Sequence, residues 1–229
     1  MLSRRNLLTT LPAMAALTLA QANAATTCSS ADAQGEQKCS SGLTIGNVQT
    51  VRQRCKEWCW AACIQTVFSL QGRETAQEWA VRKIFGSETC RGANPQQIIR
   101  AINGEWLDQY GFTFRAGAEQ LPDASLAVRT SVPRSSATGA ADDLAIGLFS
   151  NDAVKRLIAE LDKGYPLIIG ALGHATVLTA ANYIKWRDGF MRLTELTVRD
   201  PWPDNPNRRT LTANEVQGAF FVARVWIEK

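Results

Sequence analysis

The chain has 229 residues, of which 45% are hydrophobic and 20% charged, and this balance excludes a globally disordered protein. The formal net charge is +4 without a block of lysines and arginines, which excludes a dedicated nucleic-acid-binding protein. A single histidine, His174, excludes a metal site built from several histidines and is the only source of imidazole chemistry.

The first 24 residues are typical of an export signal. Arg4 and Arg5 precede an apolar run over residues 7–20, and small residues end at Ala24. Cleavage there would leave about 205 residues, which suits one ordinary domain. The segment 3–8 resembles a twin-arginine export signal, although ordinary signals also carry two arginines. A helix that spans a membrane needs about 20 apolar residues, and this run is shorter. We therefore predict a periplasmic or secreted protein with no membrane span after signal removal.

Residues 25–44 are predicted to be a polar N-terminal arm that precedes a single domain over residues 45–229. The arm contains Cys28 and Cys39. Disulfides are the usual state of cysteines outside the cytoplasm, so these two could staple an otherwise loose segment.

Four helices follow from the spacing of apolar residues and from end signals. The first runs from about Cys59 to Leu70, because its apolar side chains recur every three or four residues. The others span about residues 75–84, 94–104 and 152–162, each closed by a glycine. Residues 122–143 are rich in Ala, Ser, Pro and Gly, which predicts a surface loop.

The last third of the chain has the pattern of β-strands. A short apolar run covers residues 166–172, segments 174–184 and 191–199 form a candidate hairpin, and residues 220–227 form a last strand. Helices followed by antiparallel strands predict an α+β fold, in which the N-terminal helices pack on one side of a C-terminal antiparallel sheet.

Residues 53–63, QRCKEWCWAAC, are the densest in chemistry, and three interpretations compete. Cys55, Cys59 and Cys63 are four residues apart and could hold a metal or an iron–sulfur cluster on one helix face, but no CxxC pair is present. All three could be structural. In the third interpretation, Cys59 is a nucleophile at a helix N-terminus, where the helix dipole and free N–H groups favour a thiolate. We predict no metal and no cofactor.

A nucleophilic Cys59 requires a base, an acid behind the base, and a donor for the oxyanion. His174 opens the run GHATVLTA, and Asp200 follows the next strand. Since the start of one hairpin strand lies beside the end of the next, His174 and Asp200 are predicted to be neighbours. Gln53 could donate to the oxyanion together with the Cys59 N–H.

The order Gln-x5-Cys-Trp, Gly-His-Ala and Asp-Pro-Trp over about residues 45–227 resembles the papain-like cysteine peptidases. The similarity is greatest to bacterial branches of that superfamily in which CWAA and DPW segments recur. The resemblance implies a papain-like fold with Cys59 as nucleophile, His174 as general base and then acid, Asp200 as the orienting residue and Gln53 in the oxyanion hole.

Three tryptophans are expected to shield or line the substrate pocket. The resemblance implies that Trp202 packs over the hydrogen bond between the histidine and the acid. Trp58 stands where small residues often precede the nucleophile, and Trp60 follows it directly. The acid is Asp200, where plant papains carry asparagine.

With Cys59 as nucleophile, five cysteines remain, enough for two disulfides and one buried thiol. One assignment pairs Cys28 with Cys39 and Cys55 with Cys90, and leaves Cys63 buried. The alternative pairs Cys63 with Cys90.

The resulting hypothesis is an exported cysteine peptidase that hydrolyses peptide bonds of a peptide or protein substrate through a thioester. Two alternatives stand beside it. One is a cell-wall amidase, endopeptidase or transglutaminase-like acyl transferase with the same triad, and the other is an inactive papain-like binding module.

Overall fold

The computed structural model describes residues 23–44, 51–121 and 150–228. Residues 1–22 of the predicted export signal and the predicted loop 122–143 lie outside these ranges. The described helices and strands, in chain order, are β1 (Asn23–Cys28), β2 (Gln37–Thr44), α1 (Cys59–Leu70), α2 (Gln77–Phe85), α3 (Pro95–Ile102), β3 (Gly104–Leu107), β4 (Thr113–Gln120), α4 (Asn151–Asp162), β5 (Leu167–Ala171), β6 (His174–Lys185), β7 (Met191–Arg199), β8 (Arg208–Thr210), α5 (Ala213–Gln217) and β9 (Ala219–Ile227).

The strands form one antiparallel sheet, which confirms the α+β prediction. The main path of the sheet is β1-β2-β6-β5-β9-β4-β3, and β7 branches from β6 to pair with the short β8. The long β6 pairs with β5 over residues 174–178, with β2 over residues 180–185 and with β7 over residues 177–185. Strand β6 is therefore the structural centre on which the other elements are assembled.

Helices cover both faces of the sheet, whereas one face was expected. The helices α1, α2 and α3 share a buried core with Ile168 of β5, while α4 packs with Leu167 and Ile169 on the opposite face. All five residues of β5 are buried. A continuous apolar strand is typical of a sheet covered on both sides, and this is the physical reason for the difference.

The helix ends follow the local sequence closely. The side chain of Asn94 accepts a hydrogen bond from the Gln97 N–H, and the Asn94 N–H donates to Gln97 Oε1, which makes a capping box at α3. Ser150 caps α4 in a similar way. Strands β3, β4 and β8 were not predicted, because they are short or lack a clear alternation of apolar and polar residues.

The N-terminal arm is a β-hairpin at the edge of the sheet. Strands β1 and β2 pair in register, with Cys28 opposite Cys39, and β2 continues onto β6. Thr26 and Ser41 both donate hydrogen bonds to Asp162 at the end of α4. The arm is thus fastened to the domain by backbone pairing and by side chains as well as by its disulfide.

Two disulfides are present, Cys28–Cys39 and Cys55–Cys90, and Cys59 and Cys63 are free thiols. This confirms the first cysteine assignment and shows that the Cys63–Cys90 alternative is wrong. The metal or iron–sulfur alternative is also wrong, because Cys55 is already bonded to Cys90. Such disulfides are characteristic of proteins outside the cytoplasm. Within the described ranges, none of the helices has the length and apolar character needed to cross a bilayer.

Candidate active site

Cys59 occupies the first position of α1. The helix enters through a turn in which the Trp58 N–H donates to the Cys55 carbonyl over 3.0 Å. Trp58 provides no side-chain cap. Since the first N–H groups of a helix have no partner within the helix, the half-buried Cys59 thiol lies beside backbone donors at the positive end of the helix dipole.

His174 is delivered to the site by the tight turn between β5 and β6. Leu172 and Gly173 have φ angles of 51° and 80°, and positive φ at two successive residues is typical of the hairpin turn that matches strand twist. Glycine adopts this backbone freely, whereas Leu172 does so at a cost of about 1 kcal/mol or more. The turn therefore places a strained residue two positions before His174.

The structure brings His174 and Asp200 together, as the hairpin argument predicted. His174 Nε2 lies 2.8 Å from Asp200 Oδ1. The Asp200 side chain is completely buried, while the His174 ring remains 25% exposed. The imidazole therefore has one edge on a buried carboxylate and part of its surface open to the solvent.

Cys59 also interacts with His174. Burial lowers the pKa of His174, but hydrogen bonds with Asp200 and with Cys59 and the charges of both groups outweigh this, and the pKa rises to about 9. Because Nε2 faces Asp200, Nδ1 is the ring nitrogen left for Cys59. Each of the two ring nitrogens therefore has its own partner.

Asp200 is held ionised by four donors. Burial would raise the pKa of its carboxyl, but hydrogen bonds from His174, the Trp202 N–H, Arg209 and Asn205 hold this pKa well below the usual range. Besides the bond to His174, Oδ1 accepts from the Trp202 N–H at 2.8 Å. Oδ2 accepts from Asn205 Nδ2 at 2.9 Å and from Arg209 Nε at 2.7 Å. Both carboxylate oxygens are thus saturated.

Arg52, which the sequence reasoning missed, joins the two loops that carry the site. Its Nη1 contacts the carbonyl oxygens of Asp200, Trp202 and Asn205 at 3.2, 2.5 and 3.0 Å. The adjacent Gln53 N–H donates to the Pro201 carbonyl at 3.0 Å. The loop before the cysteine and the loop after the aspartate are therefore one connected unit. An isolated arginine in a loop gives no sequence signal for this role.

Gln53 lies beneath the turn that leads to Cys59. Its Nε2 donates to the carbonyls of Cys55 and Lys56 at 3.0 and 2.8 Å, and its side chain is almost fully buried. Its Oε1 has no hydrogen-bond partner among the described residues. In this arrangement Gln53 shapes the turn before Cys59, and its contribution to an oxyanion hole remains a prediction.

The three tryptophans have different roles. Trp202 packs edge-on against the His174 ring, with the ring centroids 6.3 Å apart and the planes at 87°. Trp58 and Trp60 are 6% and 1% exposed, and their indole N–H groups donate to the carbonyls of Thr89 and Arg91. Trp58 and Trp60 therefore fasten the segment around Cys90 to α1, and their role in shielding or lining a substrate pocket stays a prediction.

Two large apolar side chains are exposed in the turn before β6 and at the start of β9. Leu172 and Phe220 are 64% and 44% exposed. Leu172 folds over Gly218, where a Cβ would collide with it, and Phe220 lies against Gly170. Glycines at both positions let these large side chains lie close against the backbone.

Among the described residues, no group of three or more His, Cys, Asp and Glu side chains is arranged to hold a metal ion. In comparisons with models of protein families and with curated proteins, the chain matches none of them.

Proposed function

We propose that the protein is an exported cysteine peptidase with a papain-like catalytic arrangement. The observation that carries the proposal is that the only histidine of the chain lies between a half-buried thiol at a helix N-terminus and a buried carboxylate. A Cys–His–acid set in this order is the arrangement of nucleophile, base and orienting group used for acyl transfer.

The reaction begins with Cys59 as thiolate and His174 as imidazolium. The sulfur attacks the substrate carbonyl carbon, a C–S bond forms, and the carbonyl electron pair moves onto the oxygen. As the tetrahedral intermediate collapses, the C–N bond breaks and the amine leaves with the proton from His174 Nδ1. The neutral imidazole then takes a proton from water, whose oxygen attacks the thioester and releases the acid and the thiolate.

The backbone at the start of α1 supplies charge stabilisation. The Cys59 N–H is at the first helical position, next to the sulfur, so it is well placed to donate to the oxyanion. Gln53 supports this donor through its bonds to the Cys55 and Lys56 carbonyls. Both Nε2 hydrogens of Gln53 are used in these two bonds, so direct donation to the oxyanion requires one of the bonds to break. A loss of turnover of about 10²–10³-fold in Gln53→Ala is the result expected of such a direct donor.

Asp200 and Trp202 keep the imidazole in place. The Asp200–Nε2 hydrogen bond directs Nδ1 toward Cys59, and the edge-on Trp202 ring limits the access of water to that bond.

Alkylation of the two free cysteines tests the proposal. At mildly acidic pH, iodoacetamide should label Cys59 rapidly, because a thiolate reacts where an ordinary thiol barely does. Cys63 on the same helix is the internal control, since it is completely buried and should be labelled only after unfolding. Peptide mapping of labelled wild type and of Cys59→Ala distinguishes the two sites.

A substrate assay accompanies the alkylation. Unfolded protein and purified cell-wall sacculi are incubated with wild type and with Cys59→Ala. Release of peptides from unfolded protein that depends on Cys59 supports a peptidase, whereas release only from sacculi supports a cell-wall amidase or endopeptidase. If Cys59 stays unlabelled at mildly acidic pH and neither substrate is cleaved, the proposal is wrong.

A further inference from the structure

Asp200 is fixed from behind by a charged pair that the proposed chemistry does not use. Arg209, in the middle of β8, donates from Nε to Asp200 Oδ2 at 2.7 Å. Its two remaining nitrogens donate to the carboxylate oxygens of Glu215, Nη1 to Oε2 at 2.9 Å and Nη2 to Oε1 at 2.6 Å. One guanidinium thus bridges two carboxylates, of which only Asp200 faces the histidine.

Glu215 is held in turn by the start of α5. It is the third residue of α5 and forms a capping box with Thr212, whose N–H and hydroxyl donate to Oε2 at 2.8 and 2.9 Å. Val216, the next residue, packs in the core. The position of Glu215 is therefore fixed by the start of α5. Because Arg209 donates to both carboxylates, Glu215 in turn fixes the Arg209 guanidinium beside Asp200.

We propose that Arg209 and Glu215 are positioning residues of the triad: together they fix the rotation of the Asp200 carboxylate, so that Oδ1 faces His174 while Oδ2 is occupied. This inference rests on the proposed function, because it assigns a role within the same site. None of the hydrogen bonds described for Arg209 and Glu215 reaches Cys59.

The pair also balances charge behind the histidine. The positive charge of Arg209 weakens the attraction between the Asp200 carboxylate and the imidazolium, and the negative charge of Glu215 partly offsets this effect. Removal of Glu215 alone should therefore weaken the hold of Asp200 on the His174 proton, while removal of Arg209 alone should strengthen it. The charged and titratable groups that face the Asp200–His174 pair from neighbouring elements are Cys59, Cys63, Arg52, Arg209 and Glu215.

The experiment follows the titration of His174 by NMR. Because the chain has one histidine, protein prepared without a histidine tag gives a single set of imidazole resonances. We expect Glu215→Gln to lower the midpoint of this titration by about one pH unit and Arg209→Gln to raise it by a similar amount. Arg209→Lys keeps the charge but loses the fork, so its midpoint should stay near that of wild type while hydrolysis falls about tenfold.

Arg208→Gln is the matched control. It removes the same charge from the neighbouring position of β8, where the side chain is exposed, and should leave the midpoint unchanged. Folding of each variant is checked by circular dichroism, and Arg209→Lys keeps the test valid if Arg209→Gln does not fold.

The inference is overturned if Glu215→Gln leaves the midpoint unmoved, or if both neutral variants lower it, as a purely structural role would require. The failure of the proposed function would look different. In that case wild-type Cys59 resists alkylation at mildly acidic pH, whatever the titration of His174 shows.

Discussion

The first and second turns of α1 carry the same functional group in opposite environments. Cys59 is half-buried at the helix start and interacts with His174. Cys63, one turn later, is completely buried. Burial raises the pKa of the Cys63 thiol well above its ordinary value, and the charges of Cys59 and Asp200 raise it further.

The position of a cysteine along the helix decides whether its sulfur is suited to reaction or to packing. At the first turn, free N–H groups and an imidazole are available to an anionic sulfur. At the second turn, the backbone donors are used within the helix, and an apolar core surrounds the sulfur. The same side chain is therefore suited to nucleophilic chemistry at position 59 and to packing at position 63.

The largest expected difference is in hydrolysis. Cys59→Ala should lower turnover of the peptide substrate by about 10⁴-fold or more, because loss of the nucleophile removes the covalent route. Cys63→Ala should stay within a few-fold of wild type, since Cys63 has no role in the reaction. Steady-state assays of both variants test this. Comparable losses of turnover in the two variants would show that Cys59 and Cys63 do not differ in function.

The second difference is in the pH dependence of stability around His174. The folded-state pKa of about 9 lies above the ordinary value of 6.5. The folded protein therefore holds this proton more tightly, and the resulting stability is complete below about pH 6.5 and disappears as the pH rises through 9. The loss should be on the order of 2 kcal/mol, allowing for the partly exposed ring.

Urea unfolding between pH 6 and pH 9 measures this loss. His174→Gln should flatten the dependence, whereas Cys63→Ala should retain it. If the free energy of unfolding of His174→Gln changes with pH as it does in wild type, the pH dependence comes from another titrating group.

The smallest effect belongs to Cys63 and appears at higher pH. Its folded-state pKa is raised above the ordinary value of 9.0, so its contribution to stability is complete below about pH 9 and is lost as the pH rises further. The loss should reach about 1 kcal/mol by one pH unit above that value. Unfolding of Cys63→Ala between pH 9 and 10 should lack this component, and an unchanged slope would contradict the assignment.

The features that could be predicted are those with local signals. The three-and-four spacing defined α1 from Cys59 to Leu70, as the structure has it. The proximity of His174 to Asp200 followed from antiparallel pairing, since residues 26 apart in sequence meet at one end of a hairpin.

The features that were missed depend on long-range contacts. Arg209 lies in a three-residue strand with no apolar pattern, and only the pairing of β8 with β7 brings it to Asp200. Arg52 acts through backbone carbonyls, which any sequence provides. The apolar run that forms β5 was a sequence signal that helices cover both faces of the sheet. A short apolar run fits several kinds of buried segment equally well, so this signal alone could not decide the arrangement.

The N-terminal hairpin has a consequence for maturation. The predicted cut after Ala24 falls inside β1, and it would leave four of the six paired positions, Ala25 to Cys28. The Cys28–Cys39 bond lies at the far end of this remnant, and Thr26 anchors its middle to α4. A leader peptide could therefore be released without disturbing the edge of the sheet, and the new amino terminus would stay attached to the rest of the domain by backbone pairing, the disulfide and Thr26.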